Sequence, residues 1–379
     1  MRTWFRFTPF KRALTVGALF VITIGAFVAV RHERQAKRDA FVKSFQESQT
    51  LLKSDNPEAL KKLEQTIMFS ASPEEVAAAK VSMGVGYISG KDFEGLKKGI
   101  IILKEAAANE AYPPYYRAGA ITYAAGIYPS SLDAAFAKRY IFSGDSPWGS
   151  FIKDGGMDVA VRLAYEWANS IFPTARASYN IALWYGNKLL EDSTPASQAL
   201  SSEQRAVYAN LFKTSLREGN SLLEVIVSRG TLSRDAKELA FLFQLRGVSH
   251  ALDYELHKTF NSKNVAETSF KLALATLDED PAISQAESTR GLRLFIDYYY
   301  AAFLAHLTVE QVEDRKTDAR RLLGLILDEP NRNFPFFSYL KNLGAMPLEE
   351  NSTAKENAKT LTRLEPRFRA LLAGLGWKM

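Results

Sequence analysis

The chain has 379 residues and 47% hydrophobic side chains, a length and composition that favour a packed protein over a disordered one. Its net charge of +6 comes from the N-terminal region. Residues 1–38 contain eight of the 48 lysines and arginines but only one of the 42 acidic residues, Glu33. The rest of the chain has 40 basic and 41 acidic side chains. Because a neutral main body is poorly suited to neutralising phosphates, nucleic acid is not an expected partner.

The first predicted element is a membrane segment. Residues 13–30, ALTVGALFVITIGAFVAV, contain no charged side chain. As a helix rising about 1.5 Å per residue they cover roughly 27 Å, close to the ~30 Å hydrocarbon core of a bilayer. A cleaved signal peptide is the alternative, but the run exceeds an ordinary signal-peptide core and lacks small residues at the peptidase spacing before Arg31. We therefore expect a retained signal anchor that contacts the lipid bilayer.

The orientation of this anchor does not follow from its flanking charges. Four lysines or arginines precede the segment, and four follow it closely. Long downstream domains are translocated largely regardless of charge, and residues 1–12 resemble the basic region that starts a signal anchor. We expect a single-pass protein of the inner or plasma membrane with its C-terminal domain outside the cytoplasm; a domain facing the cytoplasm is the alternative.

The rest of the chain has helical rather than strand patterns. Apolar residues recur at helical spacing, and no alternating run is bounded by Asn-Gly or Asp-Gly. Helix starts are indicated by five Ser/Thr-x-x-Glu/Gln capping boxes, which begin at Ser72, Ser201, Ser284, Thr308 and Thr353. The predicted fold class is all-α, built from antiparallel helix pairs. The main predicted helices span 57–69, 72–89, 158–170, 175–191, 205–229, 234–257, 265–277, 286–307 and 314–327.

One stretch carries a family resemblance. Residues 78–109, AAKVSMGVGYISGKDFEGLKKGIIILKEAAAN, resemble a degenerate tetratricopeptide (TPR) or Sel1-like repeat. Small residues allow the two helices of such a repeat to approach closely, and aromatic rings fill the space between neighbouring pairs. The resemblance implies an α-solenoid that binds polypeptides. The residues that match the repeat are Gly84, Tyr87, Gly90, Phe93 and Ala107.

These observations divide the chain into five parts. The predicted parts are a basic tail at 1–12, a transmembrane signal anchor at 13–30, a juxtamembrane helix at 31–54, a TPR/Sel1-like α-solenoid at 55–345 with a joint near 142–156, and a C-terminal capping helix at 346–379.

Candidate catalytic and metal-binding residues are weak. His250 and His257 are seven residues apart, too far on a helix for a metal pair. The sequence FSGDS at 142–146 is superficially similar to a hydrolase block, but it has neither a preceding strand nor an Asp/His pair. There is no cysteine for a thiolate zinc site or a CxxC redox site. We expect no catalytic residue, no metal and no small-molecule cofactor.

The alternative from another class is an envelope enzyme on a helical scaffold, similar to a lytic transglycosylase. Such enzymes use an acid from a Glu-Ser pair, and Glu287-Ser288 is such a pair here. The glycine-rich element that should follow is missing. Glu287 is also accounted for as the third helical residue of the Ser284 capping box.

Tyrosines are the remaining candidates for function. Several surround Pro113-Pro114, and three consecutive ones occur in a long apolar helix. Aromatic rings on solenoid surfaces bind peptides, although core packing between helices is an equally ordinary role. We expect a membrane-tethered scaffold or adaptor that binds other proteins or peptides. The candidate partner-binding residues are Tyr112, Tyr115, Tyr116, Tyr123, Tyr298, Tyr299 and Tyr300.

Overall fold

The computed structural model confirms the all-α prediction. It describes residues 9–89, 93–131, 134–144, 147–154, 156–192, 200–230, 235–279, 281–309, 312 and 314–330, with the backbone alone given for 9–30 and a few helix ends. No strand occurs in these ranges. The helices are α1 Pro9–Lys53, α2 Glu58–Ile67, α3 Pro73–Ser89, α4 Phe93–Ala108, α5 Pro114–Ser131, α6 Ala134–Phe136, α7 Trp148–Phe151, α8 Met157–Ile171, α9 Ala175–Asp192, α10 Ser202–Ser228, α11 Ala236–His257, α12 Phe260–Asp278, α13 Pro281–Ser284, α14 Glu287–Val309 and α15 Lys316–Leu327.

The long helices pack as six successive pairs. The pairs are α1/α2, α3/α4, α5/α8, α9/α10, α11/α12 and α14/α15. Each later pair also packs on the one before it: the second helix of one pair contacts the first helix of the next at α2/α3, α4/α5, α8/α9, α10/α11 and α12/α14. First helices contact one another at α3/α5, α9/α11 and α11/α14. The core therefore continues from pair to pair.

Glycines in the first helices allow the close approach within a pair. A Cβ added at Gly84 in α3 would lie 2.8 Å from Leu103 of α4, and one at Gly99 would lie 2.7 Å from the carbonyl oxygen of Gly84. Three more pairs repeat this arrangement of a glycine opposite a large side chain of the second helix. These contacts are Gly126 with Tyr165, Gly186 with Phe212, and Gly247 with Phe270.

The third pair contains an insertion between its helices α5 and α8. This segment holds α6, a π-helical turn Ala137–Ile141 and α7, and it includes the region of the predicted joint. The Lys104 ammonium of α4 donates to the carbonyl oxygens of Ile141 (3.0 Å) and Ser143 (2.8 Å), and its burial lowers its pKa. Trp148 of α7 packs edge-on against Trp167 of α8 at 5.4 Å. The insertion is thus fixed to the array.

The predicted anchor and juxtamembrane helix fall on one continuous helix, α1. The side chains of 13–30 lie outside the described residues. Among the helices that the structure describes, none is long and apolar enough to cross a membrane. The tail at 1–8, Gly90 and everything after residue 330, including the predicted capping helix, also lie outside the described part of the chain.

The structure confirms some of the predicted capping boxes and contradicts others. At Ser201 the capping box is complete, because its hydroxyl accepts from Gln204 N–H (3.1 Å) and the Gln204 side chain accepts from Ser201 N–H (3.0 Å). The prediction at Thr308 was wrong: Thr308 lies inside α14, where its hydroxyl donates to the Leu304 carbonyl. The prediction at Ser284 was also wrong in register, since Ser284 ends α13 and α14 begins at Glu287.

Candidate partner-binding surface

The structure separates the seven candidate tyrosines into buried and accessible rings. Tyr112, Tyr298 and Tyr300 are buried in the core, where they pack between helices and present almost no surface to a partner. Tyr116, Tyr123 and Tyr299 are half-buried, and Tyr115 is 39% exposed. Only the accessible four, and Tyr115 above all, can contribute to a binding surface in the folded protein.

Tyr115 lies where the starts of α3 and α5 meet the turn between α8 and α9. Its ring centroid is 4.0 Å from that of Tyr116 and 6.2 Å from that of Phe172, which is itself 44% exposed. Its hydroxyl donates to the Glu74 carboxylate in the first turn of α3 (3.1 Å). We refer to Glu74, Tyr115, Tyr116 and Phe172 as the Tyr115 surface.

Rigid connections position this surface. Pro114 begins α5 with its φ already set for a helix, and Asn109 closes the preceding turn by accepting from Ala111 N–H (3.0 Å). Phe172 has an extended backbone, as expected for a residue before proline, and this ends α8. The rings are therefore held by turns rather than by a mobile loop.

The tyrosine hydroxyls of this surface remain neutral donors. Burial, the neighbouring Tyr116 and the Glu74 carboxylate raise the pKa of Tyr115 far above its ordinary value. Burial also raises the pKa of Tyr116, with Glu74 adding to the effect. Burial thus holds both phenols protonated, with Glu74 adding to the effect, and the hydrogen bond from Tyr115 keeps the Glu74 carboxylate beside the rings.

A second group of polar residues connects the first helices of three helix pairs, α5, α9 and α11. The Arg176 guanidinium of α9 lies 4.4 Å from the Tyr123 ring of α5 and 4.4 Å from the Phe241 ring of α11. It donates to the Glu238 carboxylate (3.0 Å), and the Tyr123 hydroxyl donates to the same oxygen (3.1 Å). We refer to Tyr123, Arg176, Glu238 and Phe241 as the Arg176 cluster.

Burial disfavours both charges of this cluster, and the attraction between them opposes that effect. Burial raises the pKa of Glu238, which the attraction of Arg176 opposes. For Arg176, burial disfavours the charge, but Glu238 and the tyrosines outweigh that effect and the pKa is raised. Because each charge needs the other, the cluster fixes α5, α9 and α11 relative to one another.

A third polar contact joins the two ends of the described array. Asp55, in the turn between α1 and α2, accepts from the backbone N–H (2.8 Å) and hydroxyl (2.8 Å) of Ser288 at the start of α14. Lys237 of α11 donates to Asp55 (3.2 Å) and to the Ser288 hydroxyl (2.6 Å). Asp55 therefore caps a helix that lies 233 residues further along the chain.

The backbone of Asp55 is specialised for this contact. Its φ is +54°, a left-handed conformation in which glycine is the usual residue after a helix. Asp55 N–H donates to Leu52 O and Asn56 N–H to Leu51 O, the two bonds of a Schellman turn. Aspartate tolerates this conformation better than most residues do, and its carboxylate supplies the cap that Ala286, before α14, has no side-chain oxygen to provide.

A shallow groove of about 530 Å³ lies between α10, α11 and the start of α12. Its lining mixes both charges, with Lys213 and Arg217 opposite Glu224 and Asp253. Behind it, Tyr179 donates to Asn220 (3.0 Å), whose amide lies 3.1 Å from His250 Nε2. Burial, with the nearby Arg246, lowers the pKa of His250 to about 4, so this imidazole is neutral at physiological pH.

The two acids of α14 lie in different environments. Glu287 is exposed in the first turn of the helix, whereas a tuned catalytic acid needs an apolar environment. Asp297 is buried in the same helix, and burial raises its pKa to about 7 against the attraction of Arg293 and Arg321. Asp145 and Ser146 lie outside the described residues. No group of three or more His, Asp or Glu in the described ranges has the arrangement of a metal site.

The structure describes four of the five residues on which the repeat resemblance rests, all except Gly90. Gly84 and Ala107 are fully or nearly fully buried between α3 and α4. The Tyr87 hydroxyl donates to Glu64 of α2 (3.2 Å), and the Lys98 ammonium lies 4.3 Å from its ring. Phe93 is exposed at the start of α4 but packs edge-on against Phe136 at 5.1 Å.

Sequence reasoning did not find the Arg176 cluster or the Asp55 contact. Neither has a local signal, because their hydrogen-bonded partners are separated by 51 to 233 residues. The glycines at 126, 186 and 247 could have been found, since each lies inside an apolar helical pattern where glycine is otherwise unfavourable. Comparison of the chain with protein-family models, curated proteins and solved structures found no match in any of the three.

Proposed function

We propose that the protein is a membrane-tethered α-solenoid adaptor that binds other polypeptides through the Tyr115 surface. The observation that carries the proposal is an exposed pair of aromatic rings, Tyr115 and Phe172, where the starts of α3 and α5 meet the turn after α8. Solvent-exposed rings held by rigid turns bind partners at a low entropic cost. The Tyr115 hydroxyl, which donates to Glu74, can still accept a hydrogen bond through its oxygen.

The order of packing supports the solenoid part of the proposal. First helices pack on first helices, and each second helix packs on the next first helix. Glycine faces a large side chain in four of the six pairs, which supports the proposal that the helix pairs are repeated units. In such arrays neighbouring units create a continuous surface for extended partners.

The membrane part of the proposal rests on residues 13–30 and on the continuity of α1. An anchor there would hold the helix pairs near the bilayer and raise the local concentration of a partner, which strengthens modest binding sites. Deleting residues 1–30 should release the protein from membranes. A truncated protein that still sediments with membranes after a high-salt wash would contradict a single anchor.

Cross-linking from defined positions tests the adaptor function. A photo-reactive amino acid placed at Tyr115 in the full chain should give discrete adducts in intact cells, and Phe172→Ala should reduce them. Phe260, 71% exposed at the start of α12, is the matched control position and should not give the same adducts. Equal adducts from both positions, or adducts unaffected by Phe172→Ala, would overturn the proposal.

Two further measurements separate the alternatives. A C-terminal reporter that is active only outside the cytoplasm distinguishes the two orientations. Glu287→Gln should leave cellular activity nearly unchanged if the protein is an adaptor. It should abolish activity if Glu287 is a catalytic acid, because an amide cannot donate the proton. Loss of activity in a folded Glu287→Gln protein would favour the envelope enzyme.

A further inference from the structure

The Tyr115 surface has a one-sided charge. The three segments that meet at Tyr115 are residues 68–75, 109–116 and 170–175. They contain three glutamates, Glu74, Glu75 and Glu110. The arginines that directly follow two of these segments are engaged elsewhere: Arg117 donates to the Ala107 carbonyl oxygen (3.1 Å), and Arg176 donates to Glu238 (3.0 Å). In the chain beyond residue 38 acidic and basic side chains are nearly equal in number, so this local excess is a property of the surface and not of the whole protein.

The Glu74 carboxylate lies directly beside the exposed Tyr115 side chain. Glu74 and Glu110 are exposed, and Glu74 is held by the Tyr115 hydroxyl. Glu75 is half-buried and accepts from Ala71 N–H (2.6 Å), which keeps its carboxylate at the start of α3. The Tyr115 and Tyr116 phenols stay protonated, so the negative charge here belongs to carboxylates and the rings present neutral aromatic faces.

From this arrangement we propose that the partner of the Tyr115 surface is a basic segment of another polypeptide, with lysine or arginine interleaved with apolar residues. Its cations would lie over the rings of Tyr115 and Phe172 and pair with the glutamates, because an aromatic face attracts a cation and a carboxylate rim adds to that attraction. Its apolar side chains would cover the exposed ring edges. An acidic or lipid headgroup partner is disfavoured by the same glutamates.

The inference rests on the proposed adaptor function, and peptides of matched sequence test it separately. Three fluorescent peptides share one apolar pattern and carry lysine, glutamine or glutamate at the intervening positions. We expect the full-length protein in lipid nanodiscs to bind the lysine peptide at least about tenfold more tightly than the glutamine peptide, and the glutamate peptide least. Binding of the lysine peptide should weaken as salt is raised.

Variants assign the binding to this surface. Tyr115→Ala and Phe172→Ala should each weaken lysine-peptide binding by about tenfold or more, as loss of an aromatic anchor does. Glu74→Gln keeps an oxygen that can accept from Tyr115 and removes only the charge, so it should weaken binding several-fold and reduce its salt dependence. Phe260→Ala is the control for a lost exposed ring and should leave binding unchanged.

The outcomes distinguish failure of the partner class from failure of the adaptor function. Equal affinity for the three peptides, or preference for the glutamate peptide, would overturn the basic-partner inference while cross-linking from Tyr115 still supports an adaptor. Lysine-peptide binding that Tyr115→Ala and Phe172→Ala do not change would also overturn it. Absence of both peptide binding and Tyr115-dependent adducts would remove the adaptor function itself. A helical circular dichroism spectrum for each variant shows that the fold persists.

Discussion

The contacts within a helix pair differ in kind from several contacts between pairs. At the centre of the α3/α4 crossing, Gly84 and Gly99 let the two helices approach closely against the apolar side chains of Leu103 and Ile88. Between pairs, the Arg176 cluster and the Asp55 contact use charges that join helices distant in sequence. Apolar crossings depend on shape, whereas the polar contacts depend on each charge finding its partner. The two should therefore respond to different substitutions and to different solution conditions.

The largest expected effect is loss of the Arg176 charge. Arg176→Met leaves the Glu238 carboxylate buried without its cation, which typically costs about 3 to 5 kcal/mol of unfolding free energy. The double variant Arg176→Met/Glu238→Gln should recover much of that loss, because Gln can still accept from Tyr123. Lys97→Met, which breaks the exposed Lys97–Glu94 pair, should cost less than about 1 kcal/mol. Denaturant unfolding of the three proteins measures these differences, and a double variant as unstable as the single one would contradict the paired-charge account.

The next effect is a pH dependence that originates at His250. Its pKa of about 4 in the folded protein lies below the ordinary value of 6.5. Between these two pH values the unfolded chain is protonated at His250 and the folded chain is not. Above pH 6.5 His250 is neutral in both states and does not affect the unfolding free energy. As the pH falls from 6.5 towards 4, protonation of the unfolded chain lowers the unfolding free energy. At about 1.4 kcal/mol per pKa unit, the loss is about 3 kcal/mol.

The His250→Gln variant isolates that contribution. Glutamine can retain a hydrogen bond to Asn220 and does not titrate, so the stability of this variant should fall less than that of the wild type between pH 7 and pH 4. Unfolding free energies measured across that range compare the two slopes. Identical slopes would show that His250 is not the source.

An apolar crossing should be disrupted by volume rather than by pH. Gly84→Leu places a large side chain where a Cβ already lies 2.8 Å from Leu103, and overpacking typically costs about 1 to 3 kcal/mol. Gly119→Ala is the matched control: no atom lies within 4 Å of its added Cβ, and removing a helical glycine should stabilise by about 0.5 to 1 kcal/mol. Melting temperatures should move in opposite directions. Equal melting temperatures for Gly84→Leu and the wild type would contradict the proposed close approach of α3 and α4.

The smallest effect should come from Asp55. Asp55→Gly removes the cap of α14 and the pair with Lys237, a loss of about 1 kcal/mol, but it also relieves the left-handed backbone at residue 55. The net change in global stability should be small, while amide hydrogen exchange in the first turn of α14 should accelerate. Asp55→Asn keeps an oxygen for Ser288 N–H and should accelerate that exchange less. Unchanged exchange in Asp55→Gly would contradict the capping role.

Several features could be predicted from the sequence because their causes are local. Apolar spacing placed the helix from Ala175 within two residues of its observed end, and the Ser201 box formed because its donors and acceptors are three residues apart. The close approach at Gly84 followed from the small-residue pattern of one repeat. Which tyrosines face solvent could not be predicted, because three consecutive rings on a helix differ only in what packs against them.

The sequence by itself determined that this chain is helical, where most helices begin and end, and that residues 13–30 form an apolar run, because each of these depends on neighbours within a few turns. Only the tertiary structure decided the cap of α14 and the state of the tyrosines. The Ser284 box was predicted from local spacing, yet Asp55, 233 residues before Ser288, supplies the acceptor. Tyr115 stays exposed beside Phe172 while Tyr112, three residues earlier, is buried. The physical reason is that capping and burial depend on which groups the folded chain brings together, and separation along the sequence does not encode that proximity.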